Sequence, residues 1–135
     1  MTPEPETTNP QDDPGMVVRR EVLGDDYVDR ATAAATDVTR DFQRFVTTYA
    51  WGGVWTREGL DRRSRSIVTL TALVAGGHLA ELELHLRGAL RNGLTRSEIA
   101  EVLLQTAVYC GVPAANSAFA VAQRVLANDG SAQGQ

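Results

Sequence analysis

Helix-stop signals divide this chain into segments that each carry an apolar pattern of helical period. Within each segment, apolar residues recur three, four and seven positions apart, which is the spacing of one face of an α-helix. Glycine-containing pairs at 52–53, 76–77 and 92–93 close three of the segments. No stretch of the sequence combines sustained strand alternation with turn residues. The pattern predicts an all-α fold of antiparallel helices joined by short loops.

Capping residues mark where the predicted helices begin. Asp61 precedes an apolar stripe, and Thr95 with Glu98 has the spacing of a capping box. Pro113 suits the first turn of the last helix, because its missing N–H is not needed there. The predicted helices begin at Thr36 or Asp37, Asp61, Leu79, Thr95 and Ala114, and they end near 52–53, 76–77, Arg91, Gly111 and Leu126.

The apolar faces of these helices are wider than a lone bundle covers. Leu84 lies far around its helix from Leu82 and Leu86, at about 100° per residue. Val68 and Leu73 widen the face of the preceding helix in the same way. A small helical protein with such faces usually buries the second one against another subunit. We therefore expect a compact helical domain that forms oligomers.

Composition divides the chain into one domain and two tails. Residues 1–15 hold four of the five prolines and four acids but no arginine, so a disordered acidic tail is predicted there. Residues 129–135 form a second predicted tail, which leaves a single domain over 16–128. Subtracting the four tail acids from the total of 17 leaves 13 acids against 13 arginines. A neutral domain has no electrostatic footprint for nucleic acid or a membrane surface.

Residue types exclude several classes of chemistry. All 13 basic residues are arginine, so no lysine is present to form a Schiff base or a P-loop. Cys110 is the only cysteine, which excludes an internal disulfide, a multi-cysteine zinc site and a CxxC pair. The sequence contains no apolar run of about 18 residues and no signal-peptide pattern. We expect a cytoplasmic protein with no metal and no cofactor.

Both histidines lie on one predicted helix with a carboxylate between them. His78, Glu81 and His85 fall within about 60° of arc at the helical period. A histidine at a core edge with a carboxylate one turn away suits proton transfer. The carboxylate is expected to raise the His85 pKa, while burial opposes this. The alternatives are a solvated helix edge, a hydrogen bond at a subunit interface, or a weak metal site that lacks a third histidine.

Arginines and aromatic residues supply the other candidates. The cluster at 62–65 opens a helix, where its guanidinium groups either bind an anionic ligand or form salt bridges with acids of neighbouring helices or subunits. Tyr49 and Trp51 belong to an aromatic segment that either lines a pocket or packs at an interface. Cys110 lies on an apolar stripe and is predicted to be a core residue.

Several longer stretches together resemble the carboxymuconolactone decarboxylase family. They are REVLG at 20–24, YAWG at 49–52, WTREGL at 55–60, RRSRS at 62–66, HLR at 85–87 and TRSEIAEVLLQTAVYCGVPAAN at 95–116. The resemblance covers about 20–127 and implies an all-α fold of the alkylhydroperoxidase D-like type. It also implies a homo-oligomer, a hexamer or a trimer, since family members are often hexamers built from dimers or trimers.

The resemblance also indicates which chemistry the chain lacks. Disulfide reductases of the same superfamily use a CxxC pair, a histidine four residues later and an upstream glutamate. His78 and Glu81 stand at the cysteine positions, and His85 stands at the histidine position. Ser66 stands at the glutamate position. The residues for thiol redox chemistry are therefore absent from this sequence.

The family reaction removes CO2 from 4-carboxymuconolactone and gives the 3-oxoadipate enol-lactone, in protocatechuate breakdown by the β-ketoadipate pathway. The resemblance implies that His85 donates a proton or binds the lactone oxyanion, with Glu81 setting its charge. Arg62 and Arg65 would hold the carboxylates of a lactone dicarboxylate. The alternatives are a decarboxylase or isomerase of a related lactone, and a non-catalytic oligomeric scaffold or sensor.

Overall fold

The computed structural model describes residues 13–129, which form helices joined by turns. In chain order the helices are α1 (Pro14–Leu23), α2 (Asp25–Ala33), α3 (Arg40–Phe45), a π-helix (Val46–Trp55), α4 (Arg62–Gly76), α5 (Leu79–Arg91), α6 (Arg96–Tyr109) and α7 (Val112–Asp129). This part of the chain contains no strand, so the all-α prediction is confirmed. Among the same residues, no helix is both long and apolar enough to cross a membrane.

The described chain divides between Glu58 and Gly59 into two compact units. The single domain over 16–128, which the sequence analysis infers from composition, stays a prediction. Pro14 and Gly15 belong to α1, so the predicted N-terminal tail extends too far into the chain. The rest of that predicted tail, residues 1–12, and residues 130–135 of the C-terminal one lie outside the described residues.

A backbone contact between two helices organises the first unit. Asp13 caps α1 by accepting a hydrogen bond from the Gly15 N–H at 2.7 Å. Gly15 is buried, and a Cβ there would lie 2.1 Å from the Thr47 carbonyl oxygen and 2.8 Å from the Gly52 nitrogen. Because only glycine permits this approach, Gly15 lets α1 pack directly on the π-helix. α2 contacts α1, and α3 contacts the π-helix.

The segment after Thr36 departs from its predicted form. The pattern predicts one α-helix that ends at the 52–53 pair, but α3 changes at Val46 into a π-helix that continues to Trp55. Those glycines lie within the helix, and Gly52 faces Gly15 across the contact just described. The sequence signal was wrong here because the glycines permit close packing rather than ending a helix. The pattern also predicted neither α1 nor α2.

Large apolar side chains are exposed in both units. This exposed apolar set includes Val38, Phe42, Phe45, Tyr49 and Val54 in the first unit and Ile67, Val68, Leu104, Val108, Tyr109, Val112 and Phe119 in the second. Tyr49 and Val54 belong to the π-helix, whose wider turn does not align residues spaced three and four apart.

Helices α4 to α7 enclose one core, and the predicted caps of this second unit are confirmed. Asp61 accepts a hydrogen bond from the Ser64 N–H at 2.7 Å. Thr95 and Glu98 form the capping box through two hydrogen bonds of 3.0 Å each. Gly77 caps the C-terminal end of α4, and its φ of 71° lies in the left-handed region. The core includes Leu70, Val74, Leu82, Leu86, Ala89, Ile99, Leu103, Ala118, Val121 and Val125.

Arg63 joins the start of α4 to the start of α6. Its Nη1 donates to Glu98 Oε1 at 3.2 Å and to the Gly93 carbonyl, and its Nη2 donates to Glu98 Oε2. These hydrogen bonds from the Arg63 guanidinium lower the pKa of Glu98 to about 2, and the hydrogen bond from the Thr95 N–H contributes to the same shift. One arginine of the 62–65 cluster therefore forms a structural salt bridge.

Acid should weaken the second unit through Glu98. The Glu98 pKa is about 2 in the fold against an ordinary 4.5, so its stabilising contribution is present above that ordinary value and is lost as pH falls towards 2. Glu98→Gln should lower the denaturant midpoint at neutral pH and flatten its decline in acid. The matched control is Glu101→Gln, exposed on the same helix, which should do neither. Identical pH profiles for Glu98→Gln and the parent protein would contradict this account.

Candidate active site

The face of α5 that carries His85 borders the core of the second unit. Leu82, Leu86 and Ala89 are fully buried, and His85, which lies among them in sequence, is half-buried. Burial lowers the His85 pKa to about 4, while the carboxylate of Glu81 acts in the opposite direction. The imidazole is therefore neutral at pH 7. The effect of Glu81 has the predicted sign, but burial outweighs it.

His78 lies at the other end of this face and makes a different contact. It occupies the N-cap position of α5, and a Cβ at Gly76 would lie 2.6 Å from its imidazole Cδ2. The exposed ring thus covers the last turn of α4. Among residues 13–129, no three histidine, cysteine or acidic side chains are grouped so as to hold a metal ion. The metal alternative for His78, Glu81 and His85 therefore has no support in the described chain.

A polar contact links α4 to the C-terminal end of α5. Asn92 Nδ2 donates to Ser66 Oγ at 2.8 Å, and Ser66 is buried. Asn92 follows His85 by seven residues, which is about 10 Å along a helix axis. Ser66 therefore has a structural partner within the fold. The sequence analysis missed this bond, because Asn92 was assigned only as a helix stop.

The two remaining arginines of the 62–65 cluster share one face of α4. Arg62 is its first residue, and Arg65 follows three positions later, so the two side chains lie one turn apart. Both are half-buried. α4 packs against α5, which carries His85 and Glu81. The second unit thus contains four of the six predicted site residues on two packed helices.

Tyr49 and Trp51 belong to the π-helix of the first unit. The Tyr49 ring contacts Phe45 with centroids 5.1 Å apart, and the residue is 63% exposed. Trp51 is only 5% exposed and stacks on Trp55 at 5.0 Å. Trp51 is thus a packing residue of that unit. Cys110 follows α6 and is half-buried against the core of the second unit, in agreement with the prediction of a core residue.

Two curated proteins are similar to this chain over most of their length. One is the 4-carboxymuconolactone decarboxylase of Acinetobacter baylyi, 43% identical over 118 residues that cover 87% of this chain and 88% of the relative. The other is a nitrosuccinic acid decarboxylase of Metarhizium robertsii, 46% identical over 114 residues that cover 84% and 80%. Residues 40–124 also match the model of the carboxymuconolactone decarboxylase family.

The fold and these relatives define the class: the protein is an all-α carboxy-lyase. The chain belongs to the carboxymuconolactone decarboxylase family. The resemblance stated from the sequence is thereby confirmed, as is the prediction of an enzyme. Arginine, histidine and carboxylate side chains on α4 and α5 provide groups that suit an anionic substrate and a proton transfer.

His85 should titrate well below an ordinary histidine. Proton NMR of His78→Gln, which leaves His85 as the one imidazole in the sequence, should give a pKa near 4 rather than 6.5. Glu81→Gln in the same background should lower the pKa further, because the carboxylate supports the charged form. A folded protein in which His85 titrates near 6.5 would contradict the burial argument.

Proposed function

We propose that this protein decarboxylates 4-carboxymuconolactone to the 3-oxoadipate enol-lactone. The observation that carries the proposal is the 43% identity to the Acinetobacter baylyi enzyme, which spans nearly the whole of both chains. The step belongs to protocatechuate breakdown through the β-ketoadipate pathway. Its substrate is a small lactone dicarboxylate, and a cytoplasmic enzyme suits such a pathway.

In this reaction the substrate is its own electron sink. The bond to the departing carboxylate breaks at the ring carbon γ to the lactone carbonyl. Its electron pair moves through the ring double bond onto the carbonyl oxygen, and the resulting dienolate takes a proton at carbon. The protein must hold a dianion, stabilise the oxyanion and return the proton. This chemistry requires no metal or cofactor.

His85 is proposed to serve both the oxyanion and the returning proton. A neutral imidazole donates one N–H, which suits a hydrogen bond to the oxyanion as its charge develops. Negative charge beside the ring raises the pKa of His85 from about 4, so the imidazole takes a proton from solvent and delivers it to carbon. Glu81 supports the same shift by its charge.

Arg62 and Arg65 are proposed to hold the substrate carboxylates. Both are half-buried on one face of α4, and Arg65 adjoins Ser66, which is hydrogen-bonded to Asn92, the C-cap of α5. About 10 Å of helix separates Asn92 from His85, a span that one arginine side chain and a small dicarboxylate together bridge. Tyr49 and Trp51 are further candidates for substrate binding, and this assignment stays a prediction.

Nitrosuccinate is the second candidate substrate, favoured by the 46% identity to the Metarhizium robertsii enzyme. It is also a dicarboxylate with a built-in electron sink. When the carboxylate beside the nitro group leaves, the electron pair moves onto a nitro oxygen, and the carbon then takes a proton. The same side chains would hold the two carboxylates and return the proton.

A homo-oligomer, a hexamer or a trimer, is proposed as the assembled state. The exposed apolar set supports this proposal, because soluble monomers seldom leave so many large apolar side chains in water. One of the substrate-binding arginines can then come from a neighbouring subunit.

The reaction is tested with freshly prepared 4-carboxymuconolactone and with nitrosuccinate. CO2 release should occur in buffer containing EDTA, with the higher kcat/KM for the lactone. A higher kcat/KM for nitrosuccinate would transfer the assignment to that substrate. No release from either by the folded, assembled protein would leave the non-catalytic alternative.

Two substitutions should separate proton transfer from binding. His85→Gln should lose mainly kcat, by roughly 10²- to 10⁴-fold, because an amide hydrogen-bonds but does not deliver a proton at useful acidity. Arg65→Gln should raise mainly KM, because a charge-assisted contact to a carboxylate is lost. His78→Gln is the matched control and should keep both parameters. A near-normal kcat for assembled His85→Gln would remove this histidine from the mechanism.

A further inference from the structure

The first unit contains a solvent-open cavity of about 510 Å³ with a cationic lining. Arg19, Arg40 and Arg44 line it, and among residues 13–129 the one carboxylate in the lining is that of Asp13. That carboxylate already caps α1 through the Gly15 N–H. The volume is in the range of small-molecule sites. The cavity therefore presents positive charge with little to offset it.

Arg19 is the innermost of these cations and has only neutral partners. It is 6% exposed, and its Nη1 and Nη2 donate to Thr47 Oγ1 at 3.2 Å and Gln43 Oε1 at 2.9 Å. Its buried Nε–H has no acceptor among residues 13–129, and no carboxylate in that range forms an ion pair with it. Burial lowers its pKa. A buried charge without an opposite charge is costly, and a bound anion would remove that cost.

Gln43, which accepts a hydrogen bond from Arg19, is oriented so that its amide N–H groups remain as donors. Arginine has no acceptor, so Gln43 must present its amide oxygen to Arg19, and its NH2 group points away from it. Thr47 donates its hydroxyl hydrogen to the Gln43 carbonyl at 2.9 Å and accepts from Arg19. Gln43 itself lines the cavity. Its amide N–H groups and the guanidinium of Arg19 form a donor set for an oxyanion.

We propose that this cavity binds a small organic dicarboxylate, with one carboxylate at Arg19 and Gln43 and the other at Arg40 and Arg44. Arg40 and Arg44 lie one turn apart on α3, and both are exposed. Planar carboxylates match the guanidinium fork, and two cationic positions match two carboxylates. The apolar lining, which includes Met16, accepts an aliphatic chain. This site uses no residue of α4 or α5, so it stands apart from the proposed reaction.

Calorimetry with adipate, a flexible aliphatic dicarboxylate, tests the proposal on the full chain. One adipate should bind per chain, and the neutral diamide adipamide should not bind. Arg19→Gln and the double variant Arg40→Gln/Arg44→Gln should each weaken binding by roughly tenfold or more. Arg30→Gln, an exposed arginine outside the cavity, is the matched control and should bind adipate normally. Equal losses in Arg30→Gln would overturn the site.

Gln43→Glu keeps the test decisive if Arg19→Gln does not fold. The new carboxylate would pair with Arg19, so this variant should unfold at a higher temperature and lose adipate binding. Binding that survives in Gln43→Glu but is lost in Arg65→Gln would place adipate at the proposed active site and overturn the inference. Binding lost in Gln43→Glu and kept in Arg65→Gln supports it, whatever the outcome of the decarboxylase assay.

Two further binding measurements distinguish a dicarboxylate from inorganic phosphate and from the acidic residues of the chain itself. Inorganic phosphate should bind more weakly than adipate, and equal or tighter binding would overturn the assignment to a dicarboxylate. The acids of residues 1–12 are neutralised in the triple variant Glu4→Gln/Glu6→Gln/Asp12→Asn. This variant should bind adipate as the parent does. A gain of roughly tenfold or more would assign the cavity to those acids rather than to a free ligand.

Discussion

The packing of α5 into the core of the second unit determines the chemistry of its one half-buried histidine. Leu82, Leu86 and Ala89 are fully buried, and the helical period places His85 beside them at the edge of the same face. The desolvation that lowers its pKa to about 4 therefore follows from core packing. A change that loosened this core would move the pKa towards 6.5 without touching the imidazole.

Arginines in the two units show how burial decides what a guanidinium does. Arg63 is exposed and pairs with Glu98, so its charge is offset within the fold and it fixes the start of α6. Arg19 is buried against Thr47 and Gln43, which are neutral, and its charge is left without an opposite charge among the described residues. Water screens the exposed Arg63–Glu98 pair, so its stabilisation is modest and depends on pH, whereas a buried cation such as Arg19 favours an anion.

The sequence predicted the second unit better than the first, because its signals there are local. Asp61, Thr95 and Glu98 cap helices through bonds to residues three positions away, so the spacing contained the answer. The π-helix depends instead on Gly15, distant in sequence, which packs against the Thr47 carbonyl and Gly52. No local pattern distinguishes a glycine that ends a helix from one that allows another backbone to approach.

The candidate site shows the same limit in energetic terms. The spacing of Glu81 and His85 correctly identified both influences on the imidazole, but only the fold shows that burial is the larger one. The Asn92–Ser66 hydrogen bond was likewise not predictable, because its partners lie 26 residues apart, one in α4 and the other in the turn after α5. The sequence thus identified the candidate side chains on α4 and α5. Their charge states and hydrogen-bond partners depend on tertiary packing and could not be predicted from it.

In the proposed reaction, a neutral His85 suits decarboxylation better than an imidazolium. An imidazolium would attract the substrate carboxylates before reaction, including the one that must leave, and stabilising the ground state as much as the transition state gives no acceleration. A neutral ring interacts less with those carboxylates. In the proposed reaction, its basicity rises as negative charge moves onto the carbonyl oxygen, so the imidazole takes up a proton from solvent once the dienolate has formed and then passes it to the carbon. The low pKa of His85 is therefore compatible with acid catalysis, because the charge of the proposed intermediate raises that pKa during the reaction.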